Sequence, residues 1–419
     1  MTMKVRPLRV DERSAGSIGT MPVVIEPSGS AHDLSKAIDS TVSQLLARHK
    51  ALLFRGWDTS GSASSFANVL DILHHRCGLA TMREYWPAEL GRDDPITFGS
   101  TTIWATNRLK LTGGFLGAEV VPHTENFYAL SERPDAIAFC CERAPWLGGQ
   151  TALFDGISAV AELPERLRLH LKRPYTVRRI LPLDRLRMRH HIHNMEELQR
   201  ACACAGASMS PVDHEHVEIS FVRTVYRPVA LGCEDDVGEI NFNFGEISQG
   251  RSARLALLDG LLRCGLFDGW RWSFHRLLWV LGLLLPQVFG AVVSFLDALP
   301  MWLTQPLTML RSMPQQRALR RAEGIRSAPT LAPSNSGAQQ NMRRERSAKS
   351  RIDKQTATLS ERLADGDAER IASALAESVC AFPWKQGDIL LIDNKRVLHD
   401  GLPGFGPRKL HVALLARTM

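Results

Sequence analysis

The spacing of hydrophobic positions divides the chain into helical and strand-like stretches. Apolar residues recur every three or four positions over 33–49, 63–76, 157–171 and 364–380, which predicts helices there. Pro164 is expected to break the third helix, because its ring cannot continue the helical hydrogen bonding. Short apolar or alternating runs, typical of strands, occupy 51–56, 136–141, 148–156, 217–231, 239–244, 387–393 and 409–416.

Strands outnumber helices in this pattern, and the helices cluster near the N-terminus. Such a chain buries its apolar strand faces in an antiparallel core with helices packed on it. The predicted fold class is therefore mostly β with flanking helices. The 419 residues, 44% of them hydrophobic, suffice for one large domain or two ordinary ones. This composition excludes disordered, collagen-like and small disulfide-stapled proteins.

One stretch, 251–351, departs from the strand-rich pattern. It holds 20 uncharged residues at 277–296, a shorter apolar run at 298–310, and then a segment rich in Arg, Ser, Pro and Gln. We predict that 1–250 and 352–419 form one domain and that 251–351 is a long helical or disordered insertion in it.

Charge is concentrated in the same insertion, which has 15 Lys and Arg against 5 Asp and Glu. The whole chain has 51 against 44, so the basic balance belongs to this segment and no nucleic-acid partner is expected. The eight cysteines include no CxxC pair, which argues against a zinc ribbon or a thioredoxin-type motif. The first residues contain no apolar leader, so we expect a cytoplasmic protein, not a secreted one, with membrane association as an option.

The strongest candidate chemistry lies in two distant places. His123 and Glu125 are separated by one residue in PHTENFY, and His399 follows the strand-like run GDILLID. Residues i and i+2 of an extended segment point the same way, so His123 and Glu125 can face one ion. Two imidazoles and one carboxylate on one face of a metal are the arrangement of non-haem Fe(II) oxygenases.

Alone, an HxE pair is weak, because 14 His residues make chance pairs common. His190, His191 and His193 lie among arginines and read as a solvated face. A zinc site at His214 and His216 would need further ligands, and its spacing to the nearest cysteines, Cys202, Cys204 and Cys233, matches no standard zinc module.

Three motifs together resemble the taurine dioxygenase/clavaminate synthase-like family of Fe(II)/2-oxoglutarate oxygenases. They are PHTENFY, AFCCERAPWLGGQTALFDG and WKQGDILLIDNKRVLHDGLPGFGPRKLHVAL, in the family's order and at compatible spacing. The likeness covers 31–248 and 352–417. It implies a double-stranded β-helix, or jelly-roll, core.

The resemblance assigns roles to five residues. His123, Glu125 and His399 would bind the iron, and Thr151 and Arg408 would contact 2-oxoglutarate. A guanidinium suits the distal carboxylate, because its planar fork can bind both oxygens. The implied cofactors are Fe(II), 2-oxoglutarate as co-substrate, and O2.

The implied activity is hydroxylation of an unactivated C–H bond in a small amino-acid-like metabolite, free or carrier-bound, as in specialised metabolite biosynthesis. Desaturation or cyclisation could use the same site, whereas the Glu125 carboxylate argues against halogenation. Two rival classes stay open: a non-catalytic jelly-roll binding protein, and a membrane-surface interaction protein in which 251–351 is the functional element.

The insertion itself allows several roles. The run 277–296 has the length of a membrane helix, yet a single span would put His399 across the bilayer from His123. Three roles remain open for the insertion: an interfacial membrane segment, a buried lid or partner contact, and a stretch with no catalytic role. The Arg-rich flank would suit an anionic membrane surface or an acidic carrier protein.

Overall fold

The structure of the chain is a computed structural model that describes most of the two flanking parts and little of 251–351. The described residues are 3–9, 12, 21–28, 32–82, 96–98, 101–106, 120–125, 133–145, 147–183, 194–204, 206–213, 215–228, 238–247, 253, 256–257, 259–261, 363–364, 366–402, 404–405 and 408–418.

Strands make up most of the regular structure of these residues. In chain order they are β1 Met3–Pro7, β2 Val23–Pro27, β3 Ala51–Phe54, β4 Leu79–Thr81, β5 Ile96–Phe98, β6 Thr101–Thr106, β7 Ala136–Arg143, β8 Leu147–Gly148, β9 Thr151–Asp155, β10 Tyr175–Pro182, β11 Ala207–Pro211, β12 His216–Arg223, β13 Tyr226–Arg227, β14 Glu239–Ile240, β15 Val379–Phe382, β16 Ile389–Asp393, β17 Val397–Gly401, β18 Gly404–Phe405 and β19 Lys409–Arg417.

The helices of the described residues are short. They are α1 Leu34–Ala37, α2 Thr41–His49, α3 Ala63–Cys77, α4 Gly156–Ala161, α5 Glu165–Leu171, α6 Met195–Cys204 and α7 Asp367–Glu377, with a 3₁₀ turn at Phe244–Glu246. The prediction of a mostly β chain with flanking helices is confirmed. None of the helices in the described ranges is both long and apolar enough to cross a membrane.

Two sheets dominate the architecture. The larger has nine strands in the order β1-β2-β3-β16-β7-β19-β6-β5, with β4 paired to β19. The smaller has the order β15-β9-β17 and is antiparallel throughout. In both sheets, strands that follow the insertion pair with strands that precede it. The two flanking parts therefore share their sheets.

Alternation along the strands sorts side chains into layers. One face of the larger sheet packs against α1, α2 and α3. Its other face packs against the smaller sheet, where Phe139, Leu153, Phe382, Leu390 and Val412 form part of one buried cluster. The outer face of the smaller sheet packs against α4, α5 and α7. The space between the two sheets is the part of the fold that holds the candidate site.

The first described residues of the predicted insertion belong to this core. Ala253, Leu257 and Leu261 are at most 1% exposed and pack in the same cluster as α4, α5 and α7. Their spacing of four residues places them on one helical face. The remainder of 251–351, including the apolar run 277–296, lies outside the described residues.

Most predicted elements are present, and α4 and α5 flank Pro164 as expected. The helix predicted over 33–49 is wrong as one element, because Asp39 accepts a hydrogen bond from the Thr41 backbone and a second helix starts there. The helix predicted over 364–380 ends at Glu377. Val379 and Cys380 instead begin β15, whose four residues are all buried beside β9.

The predicted strand 239–244 is also shorter than its alternation indicates. After β14, the Asn243 side chain accepts a hydrogen bond from the Gly245 backbone, and this cap turns the chain into the 3₁₀ turn. Besides β15, the spacing rules did not predict nine of the strands, namely β1, β2, β4, β5, β6, β10, β11, β17 and β18.

Candidate metal centre

His123 and His399 meet through the backbone. His123 N donates to His399 O at 3.2 Å, and His399 N donates to His123 O at 2.9 Å. On its other side, the segment that carries His123 pairs with Asn243. His399 lies on β17 and, by alternation with Val397, points between the two sheets. Two segments far apart in sequence are therefore held side by side as a short antiparallel ladder.

Glu125 completes a cluster with the two imidazoles. Its Oε2 lies 3.8 Å from His123 Nε2 and 3.6 Å from His399 Nε2. One donor atom from each residue lies within 4.8 Å of the other two. Glu125 and His399 are buried and His123 is partly buried, so the cluster sits at the edge of the intersheet space. The structure thus brings together the three residues that were predicted to share one ion.

The electrostatics of the cluster keep the carboxylate ionised. Burial alone would raise the pKa of Glu125, but the two imidazoles outweigh it and hold the pKa well below its usual value. Burial has the opposite effect on the imidazoles and lowers their pKa. The effect of burial is the larger one for His399, whose pKa is lowered, whereas the adjacent Glu125 carboxylate raises the pKa of His123. The cluster therefore offers an ionised carboxylate beside two nitrogen donors.

The orientation of His123 also suits metal binding. Its Nδ1 lies 2.8 Å from Val121 O, a carbonyl that can only accept a hydrogen bond. The proton of a neutral imidazole is therefore held at Nδ1, and the lone pair remains at Nε2, toward Glu125. The ring of His399 is fixed differently, by an edge-on contact with Phe139 at 5.6 Å between ring centres.

Thr151 and Arg408 both approach Gly401 of β17, two residues after His399. Thr151 starts β9 and pairs with Gly401. A Cβ built on Gly401 would stand 3.4 Å from Arg408 Nη1, so the guanidinium approaches the same corner. Both residues are at least nine-tenths buried, and burial lowers the pKa of Arg408 to about 10.

The chemistry of the donor set points to a transition metal. Two imidazole nitrogens and one carboxylate within 4.8 Å of one another match the ligand types of mononuclear non-haem iron. Among the described residues, no other group brings three such side chains together. His216 instead contacts Asp213, and Cys202 packs in an apolar cluster with Leu198. His214 and the group at 190–193 lie outside the described residues.

Part of the chain matches the model of a known protein family. Residues 20–225 match the model of the family described as "Taurine catabolism dioxygenase TauD, TfdA family". Over these residues the chain is similar to the TauD, TfdA family. The matched region includes His123, Glu125 and Thr151 and ends before His399 and Arg408. No curated protein matches the sequence significantly.

Solved structures that match over nearly all of this chain include the following three proteins. PvcB from Pseudomonas aeruginosa is 13% identical, with 99% of this chain and 96% of that chain covered and a TM-score of 0.44. A taurine dioxygenase from Burkholderia xenovorans is 13% identical, with 99% and 90% covered and a TM-score of 0.44. A putative alpha-ketoglutarate dependent 2,4-D dioxygenase, also from Burkholderia xenovorans, is 11% identical, with 99% and 97% covered and a TM-score of 0.42.

Sequence reasoning missed the polar residues that surround the cluster. Asn394, Asp400 and Trp384 are buried and make hydrogen bonds to the site segments, yet none was assigned a role. Asn394 and Asp400 are polar residues inside or next to strongly apolar strands. That signal could have marked them, because buried polar groups need specific partners.

Proposed function

We propose that the chain is an Fe(II)- and 2-oxoglutarate-dependent dioxygenase of small molecules. The observation that carries the proposal is the cluster of His123, Glu125 and His399, with donor atoms within 4.8 Å of one another. The match of residues 20–225 to the model of the TauD, TfdA family supports it independently. When bound, the iron supplies an oxidation in which 2-oxoglutarate and O2 give succinate and CO2, and one oxygen atom enters a substrate C–H bond.

Each residue of the site has a definite task in this proposal. His123 and His399 offer Nε2 lone pairs to the metal, and Glu125 offers a carboxylate that stays ionised at neutral pH. Arg408 is the cation for the distal carboxylate of 2-oxoglutarate, because a buried guanidinium binds a carboxylate through two parallel hydrogen bonds. Thr151 donates a further hydrogen bond to the same group.

The expected reaction is hydroxylation of an amino-acid-like metabolite, free or carrier-bound. The presence of Glu125 supports oxygenation rather than halogenation, since the carboxylate occupies the position that a halide would need. Desaturation or cyclisation would use the same five residues. The walls that would select the substrate lie largely in segments outside the described residues.

The proposed fold is a double-stranded β-helix interrupted by the insertion 251–351. Its support is the pair of facing sheets with one shared apolar cluster and the mixing of strands from both flanking parts. A contact of the insertion with an acidic carrier protein or an anionic membrane surface is also a proposal. It rests on the sequence alone, through the excess of Arg and Lys in that stretch.

Anaerobic titration tests the proposed function. Wild-type protein with Fe(II) and 2-oxoglutarate should develop a visible absorption band that requires both, and a substrate screen should then release succinate. His399→Ala should abolish the band, whereas His216→Ala, at a histidine on β12 whose ring contacts Asp213, should retain it. A folded wild-type protein without the band would favour a non-catalytic binding protein.

A further inference from the structure

The Asn394 side chain is hydrogen-bonded to the backbone of Glu125 and of Pro134. Its Oδ1 accepts a hydrogen bond from Glu125 N at 2.7 Å, and its Nδ2 donates to Glu125 O at 3.3 Å and Pro134 O at 2.9 Å. The side chain is 0% exposed, so water does not compete for these bonds. One amide therefore fixes both polar groups of the Glu125 backbone.

Asp400 makes a comparable contact on the other side of the cluster. Its Oδ2 accepts from Val121 N at 2.5 Å, and its Oδ1 accepts from Gly401 N at 2.8 Å. Val121 in turn accepts a hydrogen bond from His123 Nδ1 through its carbonyl. Asp400 thus holds the residue whose carbonyl sets the orientation and tautomer of the His123 ring.

We propose that Asn394 and Asp400 are positioning residues that place Glu125 and His123 relative to His399. Both lie in the short stretch that leads into and forms β17, the strand that carries His399. This stretch therefore supplies one member of the cluster directly and holds the other two through hydrogen bonds. The inference rests on the proposed function, because it concerns the metal affinity of that same cluster.

The hydrogen bonds require each side chain in one chemical form. Asn394 must donate to two carbonyls and accept from one N–H, which only an amide can do. Asp400 must accept at both oxygens, which only a carboxylate can do. Asn394→Asp would set a carboxylate oxygen against two carbonyls, and Asp400→Asn would aim an NH2 group at a backbone N–H. Both changes keep the size of the side chain and reverse its hydrogen bonding.

The test uses Co(II) as a probe on the full-length protein without 2-oxoglutarate. Affinity is measured by calorimetric titration, and the visible spectrum of bound Co(II) reports the geometry of its ligands. Asn394→Asp and Asp400→Asn should each weaken Co(II) binding by about 10- to 100-fold, the usual effect of losing a group that orients a metal ligand, and should shift the spectrum. Urea unfolding of the apoprotein measures any general loss of stability.

Asp388→Asn is the matched control. Asp388 is equally buried and accepts from the Lys385 backbone and the Arg55 guanidinium, so its change costs stability without touching the cluster. It should lower the unfolding free energy and leave the Co(II) affinity and spectrum unchanged. If Asn394→Asp does not fold, Asn394→Ser removes the amide without adding a charge, and the same weakening is expected.

The outcomes separate the two proposals. Folded variants at both positions with wild-type affinity and spectrum would overturn the positioning role while leaving the proposed function intact. Wild-type protein that fails to bind Co(II), or binds it as tightly when His123 and His399 are both changed to Ala, would overturn the proposed function and this inference with it.

Discussion

Thr151 carries one hydroxyl, which must donate its hydrogen if it is to bind a carboxylate. Trp384 Nε1 donates to Thr151 Oγ1 at 3.1 Å, and both groups are buried. Because indole can only donate, the hydroxyl is made the acceptor in this pair, and its own hydrogen stays available to another acceptor. At the scale of single residues, Trp384 thus orients the hydroxyl for the proposed co-substrate.

Trp384→Phe keeps the aromatic contact with Phe382 but removes the N–H. We expect KM for 2-oxoglutarate to rise about 2- to 10-fold with little change in kcat, since a neutral hydrogen bond contributes ~0.5–1.5 kcal/mol. Succinate release at varied 2-oxoglutarate concentration measures this. Trp57→Phe is the control, because Trp57 is also buried but donates to Ile25 O away from the site. A KM equal to that of wild type in Trp384→Phe would contradict the role.

At the scale of elements, β19 serves two faces of the larger sheet. Arg408, just before the strand, approaches Gly401 of β17, whereas His411 alternates with Leu410 and Val412 and points away from the space between the sheets. His411 is 0% exposed, and its Nε2 lies 2.6 Å from Glu142 Oε2, with Lys409 bound to the same carboxylate. Burial lowers the pKa of His411 despite that carboxylate.

This lowered pKa predicts a loss of stability in mild acid. The unfolded chain takes up a proton at His411 more readily than the folded protein does, so the stabilisation is complete above about pH 6.5 and is lost as pH falls below it. Urea unfolding at pH 7.5 and 5.5 should show a smaller decrease in His411→Gln than in wild type. His75→Gln, at a side chain that is 67% exposed, should keep the wild-type decrease. A wild-type decrease in the stability of His411→Gln would contradict this role of His411.

At the scale of the whole molecule, a buried ion pair joins the two flanking parts of the chain. Arg55, after β3, donates through Nε to Asp388 Oδ1 at 3.0 Å across 333 positions, and the side chains are 6% and 2% exposed. Arg55 also donates to Pro383 O at 2.8 Å. The pair therefore connects the entry of β16 to the neighbouring strand of the sheet.

Asp388→Ala should be strongly destabilising. It leaves the Arg55 charge buried without its carboxylate, which typically costs about 3–5 kcal/mol. Chemical denaturation measures the unfolding free energy, and Asp71→Ala, at a carboxylate 58% exposed on α3, should change it by less than about 1 kcal/mol. The double variant Arg55→Met/Asp388→Leu should recover much of the loss. Equal stability of Asp388→Ala and Asp71→Ala would count against a structural role for the pair.

The boundary of the insertion matters at the same scale. Ala253, Leu257 and Leu261 belong to the core, so deletion of 252–350 removes three buried side chains, and losing even one large apolar residue costs roughly 2–5 kcal/mol. Deletion of 264–350 should retain Co(II) binding and thermal stability, whereas deletion of 252–350 should lower the melting temperature. Similar melting temperatures for the two deletions would show that 252–263 contributes little.

Much of the fold could be predicted from local spacing alone. Continuous apolar runs predicted β3, β7, β16 and β19, which are buried on both faces, and helical spacing predicted α3, which buries one face. The pattern misjudged β15, where four consecutive buried residues follow a helix and only pairing with β9 makes them a strand. It also missed β17, whose short run between two turns has no clear alternation.

The sequence by itself determined the types of group available: two imidazoles, one carboxylate, a hydroxyl and a guanidinium in motifs of a set order. Glu125 and His123 share a face because their spacing of two is a property of extended chain. Only the tertiary structure decided that Asn394, 269 positions from Glu125, would hold its backbone, and that Asp400 would reach Val121. Each of these contacts runs from a side chain to a backbone N–H group. Because almost every residue has such a group, no local sequence pattern identifies the partner before the chain has folded.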